Sequence, residues 1–490
     1  MNSKAKLIPA LWIISLLALQ CTGGCSKKGK EIQTPGNIDT TTTPVNYVKT
    51  DVMFWLTKAD STVRFQRQNV ALNFSNSGST GTTIVVDSTS TYQTIDGFGF
   101  AMTGGSAYLI NRLPAAERSN ILQELFSTDS TFIGISYLRI SIGSSDLNSY
   151  VFSYDDMTAG TDTSLNNFSI TPDIYDLIPV LKLVLTINPD IKILGSPWSA
   201  PAWMKTNNSS IGGTLNTTYY GVYARYFVKY LQAMKANGIT LDAVTVQNEP
   251  EYGGNNPSMV LSADQEAEFV KNYLGPAFKA ANIATKIIIF DHNCDHPNYP
   301  ITVLSDSAAR QYIDGSAFHL YGGDISALTT VHDAFPDKNV YFTEQWVGGS
   351  STNNFAPDLD WHVQNLIIGA PLNWSKNVIH WNLASDPSYE PHTQGGCSSC
   401  LGALTIGSNI SRNVSYYIVA HASKFVRPGS VRIGSSVVGG LTNVAFKTPS
   451  GRKVLIVLNI GTSKQTFNIS YGNEFVTTSL DAGSVATYVW

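Results

Sequence analysis

Eight short apolar runs, each followed by a stretch long enough for a helix, constrain this chain more than any other feature. In order they are GFGFAMT (97–103), YLRISIG (137–143), KILGSPWS (192–199), AVTVQNEP (243–250), KIIIFDHN (286–293), GSAFHLY (315–321), NVYFTEQW (339–346) and NVIHWNLA (377–384). Their starts lie 24 to 55 residues apart, room for a helix and a loop each time, as in SADQEAEFVKNYLGPAFKAA (262–281). Nearly unbroken hydrophobic strands alternating with helices make a parallel sheet covered on both faces. Eight such units predict an α/β fold, a closed (β/α)8 TIM barrel over residues 93–425.

The working groups of such a barrel stand where its strands end. Arg139, Ser196, Trp198, Asn248, Glu249, Asp291, His292, His319, Tyr321, Glu344, Trp346, Trp381 and Asn382 all cluster at that end of these runs. In VQNEP (246–250) Pro250 has no N–H for a ladder, so the strand is expected to stop there with Glu249 turned to the mouth. YFTEQW places Glu344 at the end of the seventh strand, across the mouth from the fourth. One glutamate could merely cap a helix. Two on facing strands, among Trp and Tyr, match what glycoside hydrolysis needs: a proton donor to the leaving oxygen and a carboxylate opposite it. A separation of ~5 Å predicts retention of configuration, and ~6.5 Å or more predicts inversion.

Outside the barrel the pattern is that of β-structure. VMFWLT, VALNF and TTIVVD lie within 47–92, and LTNVAFKTPSGRKVLIVLNIG and SVATYVW within 426–490. Both ends are expected to join in one β-sandwich packed on the barrel. Residues 25–46 are Lys, Thr, Pro and Gly with almost no large apolar residue, a flexible tether. Before them, two lysines and the apolar run Leu7 to Leu19 read as a secretory signal over 1–24, too short to span a bilayer. Cys25 after Gly23-Gly24 has the setting of a bacterial lipidation cysteine, with Cys21 the alternative. An exported, membrane-anchored bacterial lipoprotein is expected.

In an exported chain Cys397 and Cys400 of GGCSSCLG read as a short-loop disulfide rather than half a zinc site, because there is no second Cys pair; free thiols are the alternative. A net charge of -4 gives no basic footprint for nucleic acid. No phosphate-cradling glycine loop occurs, and Asp291-His292 with His296 lacks a third metal ligand, so no cofactor and no metal are expected. A monomer is expected.

Over nearly its whole mature length the chain resembles glycoside hydrolase family 30, which includes glucosylceramidases and β-1,6-glucanases. The resemblance rests on QTIDGFG (93–99), RISIGSSD (139–146), SPWSAPAWMKT (196–206), TVQNEPEY (245–252), DHN (291–293), AFHLYGG (317–323), FTEQW (342–346) and HASKFVRPGSVRI (421–433). It implies that Glu249 is the acid/base, Glu344 the nucleophile and Asn248 the amide that binds the 2-hydroxyl of the reacting sugar. It further implies that Tyr321 donates to Glu344 and that Trp198 and Trp381 line the sugar subsite. Arg139 is expected to orient the carboxylates, Asp146 to hold a loop, and His319 either to pack in the mouth or to touch substrate.

Members acting on glucosylceramide resemble one another in GFGGAMTDA, whose Asp grips far-side hydroxyls, whereas this chain reads GFGFAMTGGSA with Gly104 at that place. A double glycine is expected to leave room for a sugar attached at O6. That points to an endo-acting β-1,6-glucanase with a β-glucan as partner. A glucosylceramidase-like β-glucosidase or a xylanase of the same family is the alternative, and a non-catalytic glycan-binding lipoprotein the reading from another class.

Overall fold

In the computed structural model the described residues are 46–78, 80–348 and 354–490. The signal segment, Cys21, Cys25 and nearly all of the tether lie outside them. Among the described residues no helix is long and apolar enough to cross a membrane.

Eight parallel strands close into a barrel: β1 (Gly97–Ala101), β2 (Tyr137–Ser141), β3 (Lys192–Ser196), β4 (Ala243–Thr245), β5 (Lys286–Asn293), β6 (Ile313–His319), β7 (Asn339–Glu344) and β8 (Ser375–His380). Each pairs with its neighbour in sequence, and β8 pairs with β1. Alternation along the strands sorts the side chains into layers. Tyr137, Leu194, Ala243, Ile288, Ala317, Tyr341 and Ile379, from seven strands, form one buried cluster that fills the barrel's lower interior. On β1 the equivalent place falls to Gly99, where a Cβ would overlap the Tyr137 carbonyl. The residues between them, such as Phe98, Leu138, Ile193 and Val244, belong to the larger core shared with the helices.

The fourth strand ends earlier than its sequence suggests. Its ladder stops at Thr245, so Pro250 is not what ends it. Glu249 sits in a turn with φ 47°, its N–H on the Asp291 carbonyl at 3.0 Å. The helix expected over 262–281 starts at a capping box, Ser262 with Gln265, but widens into a π-turn over Val270–Leu274 before Pro276. A second π-turn, Val363–Gly369, precedes Pro371. Proline cannot accommodate the carbonyl four residues back in a regular helix, and a widened turn relieves that clash.

Nine strands from both chain ends form the second layer, in the order 66–67, 53–57, 485–489, 453–459, 441–447, 431–435, 83–94, 465–471, 474–480. VALNF is not among them. Its Leu72 carbonyl instead receives Asp51 N–H at 3.2 Å and Val52 N–H at 3.0 Å. The sheet folds over as a sandwich around Phe54, Leu56, Phe467, Tyr488 and their neighbours. Alternate residues of VLIVL go two ways: Leu455 and Val457 enter that core, while Val454, Ile456 and Leu458 pack on the barrel. That double burial is why the run is apolar at every position.

Candidate active site

Above the apolar layer the barrel interior turns polar, and the change is set by the same alternation. Two residues beyond Tyr137, Leu194, Ala243, Ala317, Tyr341 and Ile379 come Arg139, Ser196, Thr245, His319, Thr343 and Trp381. On β5 the period breaks. The register shifts between Phe290 and His292, and Phe290 and Asp291 take φ values of 72° and 63°. Phe290 turns outward against Tyr299, ring centroids 5.0 Å apart, and Asp291 takes the inward place. Such a bulge re-aims a side chain at the cost of a lost ladder bond. The N–H of Phe290 donates instead to both oxygens of Glu266 at 3.3 Å; burial pushes that carboxyl up to about 8.

Asp291 is the hub of this layer. Its Oδ2 accepts from Arg139 Nη2 at 2.7 Å, Ser196 Oγ at 2.8 Å and Thr245 Oγ1 at 2.8 Å, and its Oδ1 from Thr343 Oγ1 at 2.6 Å. Burial would raise this carboxyl, but the Arg139 charge, His319 and Thr343 overcome it and hold Asp291 far below the ordinary carboxylate range. Arg139, wholly buried, also donates to Glu344 Oε2, and to Asn248 Oδ1 at 2.7 Å. Removing one partner from such a buried network costs ~3–5 kcal/mol, because a charge is left without its counter-ion.

The two glutamates expected to face each other do so. Glu249, Glu344 and His319 each present a polar atom within 4.8 Å of the others. His319 is fully buried, with Nε2 at 3.1 Å from Asp291 Oδ1 and Nδ1 at 3.3 Å from Glu249 Oε1. It packs beneath the carboxylates with both ring nitrogens occupied. Tyr321 donates to Glu344 Oε1 at 3.0 Å, and its oxygen accepts from Trp346 N–H at 3.1 Å, which turns the hydroxyl proton toward the glutamate.

Burial acts to raise both glutamates. At Glu249 the hydrogen bond and charge of His319 outweigh it and hold the group below the ordinary value. At Glu344 burial prevails over the pull of His319 and Arg139, with repulsion from Glu249 and Asp291 added. His319, against its burial, is pushed up to about 9 by Glu344, Asp291 and Glu249. The two carboxyls repel each other and titrate together, so the proton they hold belongs to the pair rather than to either glutamate alone.

Trp198 and Trp381, ring centroids 5.3 Å apart and inclined at 30°, wall the cavity above this layer. Its volume is about 170 Å³, and Asp146, Tyr252, Asn255, Trp346 and the Cys397–Cys400 disulfide complete its lining. Of larger grooves elsewhere, the one of about 670 Å³ has a single lining carboxylate, Glu124, paired with Arg412, and in the one of about 690 Å³, lined by Asp190 and Asp242, Asp242 is paired with Lys192 at 2.7 Å. Cys294 is buried and free. Glu249, His319 and Glu344 are close enough to share a cation. A cation there would meet the positive charge of Arg139 on Glu344 and a His319 ring whose pKa is pushed up to about 9.

Asp146 holds a loop, accepting Cys397 N–H at 3.2 Å and Thr393 N–H at 2.8 Å, and also lines the cavity. One expectation needs correction. Gly104 does not open the site, because a Cβ there would overlap the Asn148 amide, which fills that place. The central part of Asp291 went unread, although a carboxylate ending the unbroken KIIIF run was its signal.

The family model "Glycosyl hydrolase family 30 TIM-barrel domain" matches residues 95–426, and "Glycosyl hydrolase family 30 beta sandwich domain" matches 429–488. An endo-1,6-beta-D-glucanase of Neurospora crassa is 36% identical over 414 residues, 80% of this chain and 82% of that protein. The lysosomal acid glucosylceramidase of Mus musculus is 28% identical over 88% of each chain. Among solved structures, the endo-beta1,6-glucanase BT3312 superposes with a TM-score of 0.85 at 37% identity, covering 90% of this chain and 99% of that one.

Proposed function

The chain belongs to glycosyl hydrolase family 30 and is a glycoside hydrolase, and from that premise we propose that it is a retaining, endo-acting β-1,6-glucanase. The observation that carries the reaction type is the approach of Glu249 and Glu344 to within 4.8 Å, too close for an attacking water between them and suited to direct attack on carbon. The linkage is supported by the N. crassa relative and by BT3312, both named for β-1,6-glucan.

In the first step Glu344 attacks the anomeric carbon while Glu249 protonates the departing oxygen, leaving a glycosyl ester on Glu344. In the second, Glu249 takes a proton from water, which opens the ester and restores both groups. Arg139 and Tyr321 aim the Glu344 carboxylate, one at each oxygen. Arg139 also occupies Asn248 Oδ1, so the Asn248 amide presents its N–H groups to the 2-hydroxyl of the sugar. His319 orients Glu249 through the contact at Oε1, and Trp198 and Trp381 line the sugar subsite. Every group comes from one chain, so a monomer suffices.

Purified protein incubated with linear β-1,6-glucan, β-1,3-glucan, glucuronoxylan and glucosylceramide should release oligosaccharides from the first only, initially as β-anomers by NMR. Hydrolysis of xylan or glucosylceramide without β-1,6-glucan overturns the linkage; initial α-anomers overturn retention. The reading includes a lipid tether at Cys25. Cys25→Ala expressed in a bacterial host should abolish incorporation of labelled palmitate and leave the membrane fraction, whereas Cys21→Ala should do neither; the reverse result moves the anchor to Cys21.

A further inference from the structure

We propose that Glu251, His292 and His296 form a transition-metal site, with Zn²⁺ the ion that fits, where the turn after β4 meets the end of β5. The inference goes beyond the glycosidase reading and does not depend on it.

The sequence sets His292 and His296 four residues apart, a spacing at which two imidazoles take one ion, but offers no third ligand beside them. The fold supplies it. Glu249 N–H donates to the Asp291 carbonyl at 3.0 Å, which fastens the turn after β4 to the end of β5 and brings Glu251 against both rings. Glu251 Oε2 lies 2.7 Å from His296 Nδ1 and 3.6 Å from His292 Nδ1. Ligand atoms around a tetrahedral Zn²⁺, each ~2.0–2.2 Å from the ion, stand about 3.4 Å apart, between those two separations.

His292 is the residue that calls for an ion. It is 8% exposed, and its Nδ1 is buried with no hydrogen-bond partner among the described residues. A proton on Nδ1 would be too far from Glu251 to be donated, and without one a lone pair faces a carboxylate oxygen. Either state leaves a buried polar atom unserved, and a cation between the two atoms removes that cost. The ring is held in place on β5 by the Phe290 and His319 rings, with centroids at 6.0 and 6.4 Å. The side chains of His296 and Glu251, 58% and 31% exposed, are free to make the small shifts that coordination needs. Asp295 adds a further negative charge near both histidines. Two imidazole nitrogens with one carboxylate suit Zn²⁺ rather than Ca²⁺ or Mg²⁺, which take oxygen ligands, and the fourth position is left to water. No residue is shared with the cluster of Glu249, His319 and Glu344.

The test titrates the purified protein near neutral pH with Zn²⁺ by calorimetry and with Co²⁺ by visible absorption. Wild type should take up one equivalent of Zn²⁺, and bound Co²⁺ should show the d–d bands of nitrogen and oxygen ligands. His296→Ala and Glu251→Gln, both at solvent-accessible side chains, should each weaken binding at least about tenfold. Glu344→Gln should leave it unchanged. No uptake by wild type, or uptake unaltered in either of the first two variants, overturns the proposal. So does a thiolate charge-transfer band, which would put the ion on a cysteine, or a loss confined to Glu344→Gln, which would put it between the facing glutamates. Should a variant fail to fold, wild type alone decides by NMR: of the eight histidines, Zn²⁺ should shift the ring signals of His292 and His296 and leave the rings remote from them in place. Shifts that spare His292 and His296 overturn it.

Discussion

Glu344→Gln is expected to lower kcat on β-1,6-glucan by at least about 10⁴-fold while leaving the protein folded and able to bind oligosaccharide. A neutral amide cannot form the glycosyl ester. Folding should survive because Arg139 keeps Asp291 as its charged partner at 2.7 Å, and the Gln oxygen can accept from Arg139 while its NH2 donates to the Tyr321 oxygen. The check is a rate measurement paired with a thermal unfolding midpoint and a binding isotherm for a β-1,6-gluco-oligosaccharide. A residual rate above about 1% in a folded variant would assign the nucleophile elsewhere.

Glu249→Ala should separate the two halves of the reaction by leaving group. Departure of a sugar alkoxide needs a proton, so turnover of β-1,6-glucan should fall about 10³-fold or more. An activated aryl glucoside such as the 2,4-dinitrophenyl compound leaves without protonation, so its glycosyl-enzyme should still form rapidly and then accumulate, because no base remains to deprotonate water. Added azide, which needs no base, should restore turnover and yield the β-glycosyl azide. Equal losses on both substrates with no azide effect would count against Glu249 as the acid/base. The azide stereochemistry also tests retention, since the 4.8 Å approach predicts the β-product.

Much of the site was legible because strand ends carry it. Glu249, Glu344, Asn248, Tyr321, Trp198 and Trp381 all follow apolar runs at places where a barrel opens to solvent, and polar groups there call for a chemical reason. Arg139 was legible for another reason: a guanidinium inside YLRIS has to find counter-charges in the barrel, and it found Asp291 and Glu344. His319 was harder: on the sequence alone it could pack in the mouth or touch sugar, and its full burial comes from residues far apart in the chain.

Asp291 marks the limit most clearly. The chain by itself determined eight strands, their order, their parallel closure and the polar ends that make the mouth, because those follow from local periodicity and from connections too short to do otherwise. By the same periodicity, however, Ile288 facing inward puts Phe290 inward and Asp291 outward. Tertiary structure reversed that. Leaving a carboxylate on the helix side would bury it without a counter-charge. The bulge at Phe290 and Asp291 instead gives Asp291 the Arg139 charge and three hydroxyls, moves the Phe290 ring to Tyr299, and supplies the freed N–H with Glu266. None of these partners is adjacent in sequence, and it is their combined free energy, set against two left-handed residues and a broken ladder, that decides which way Asp291 points.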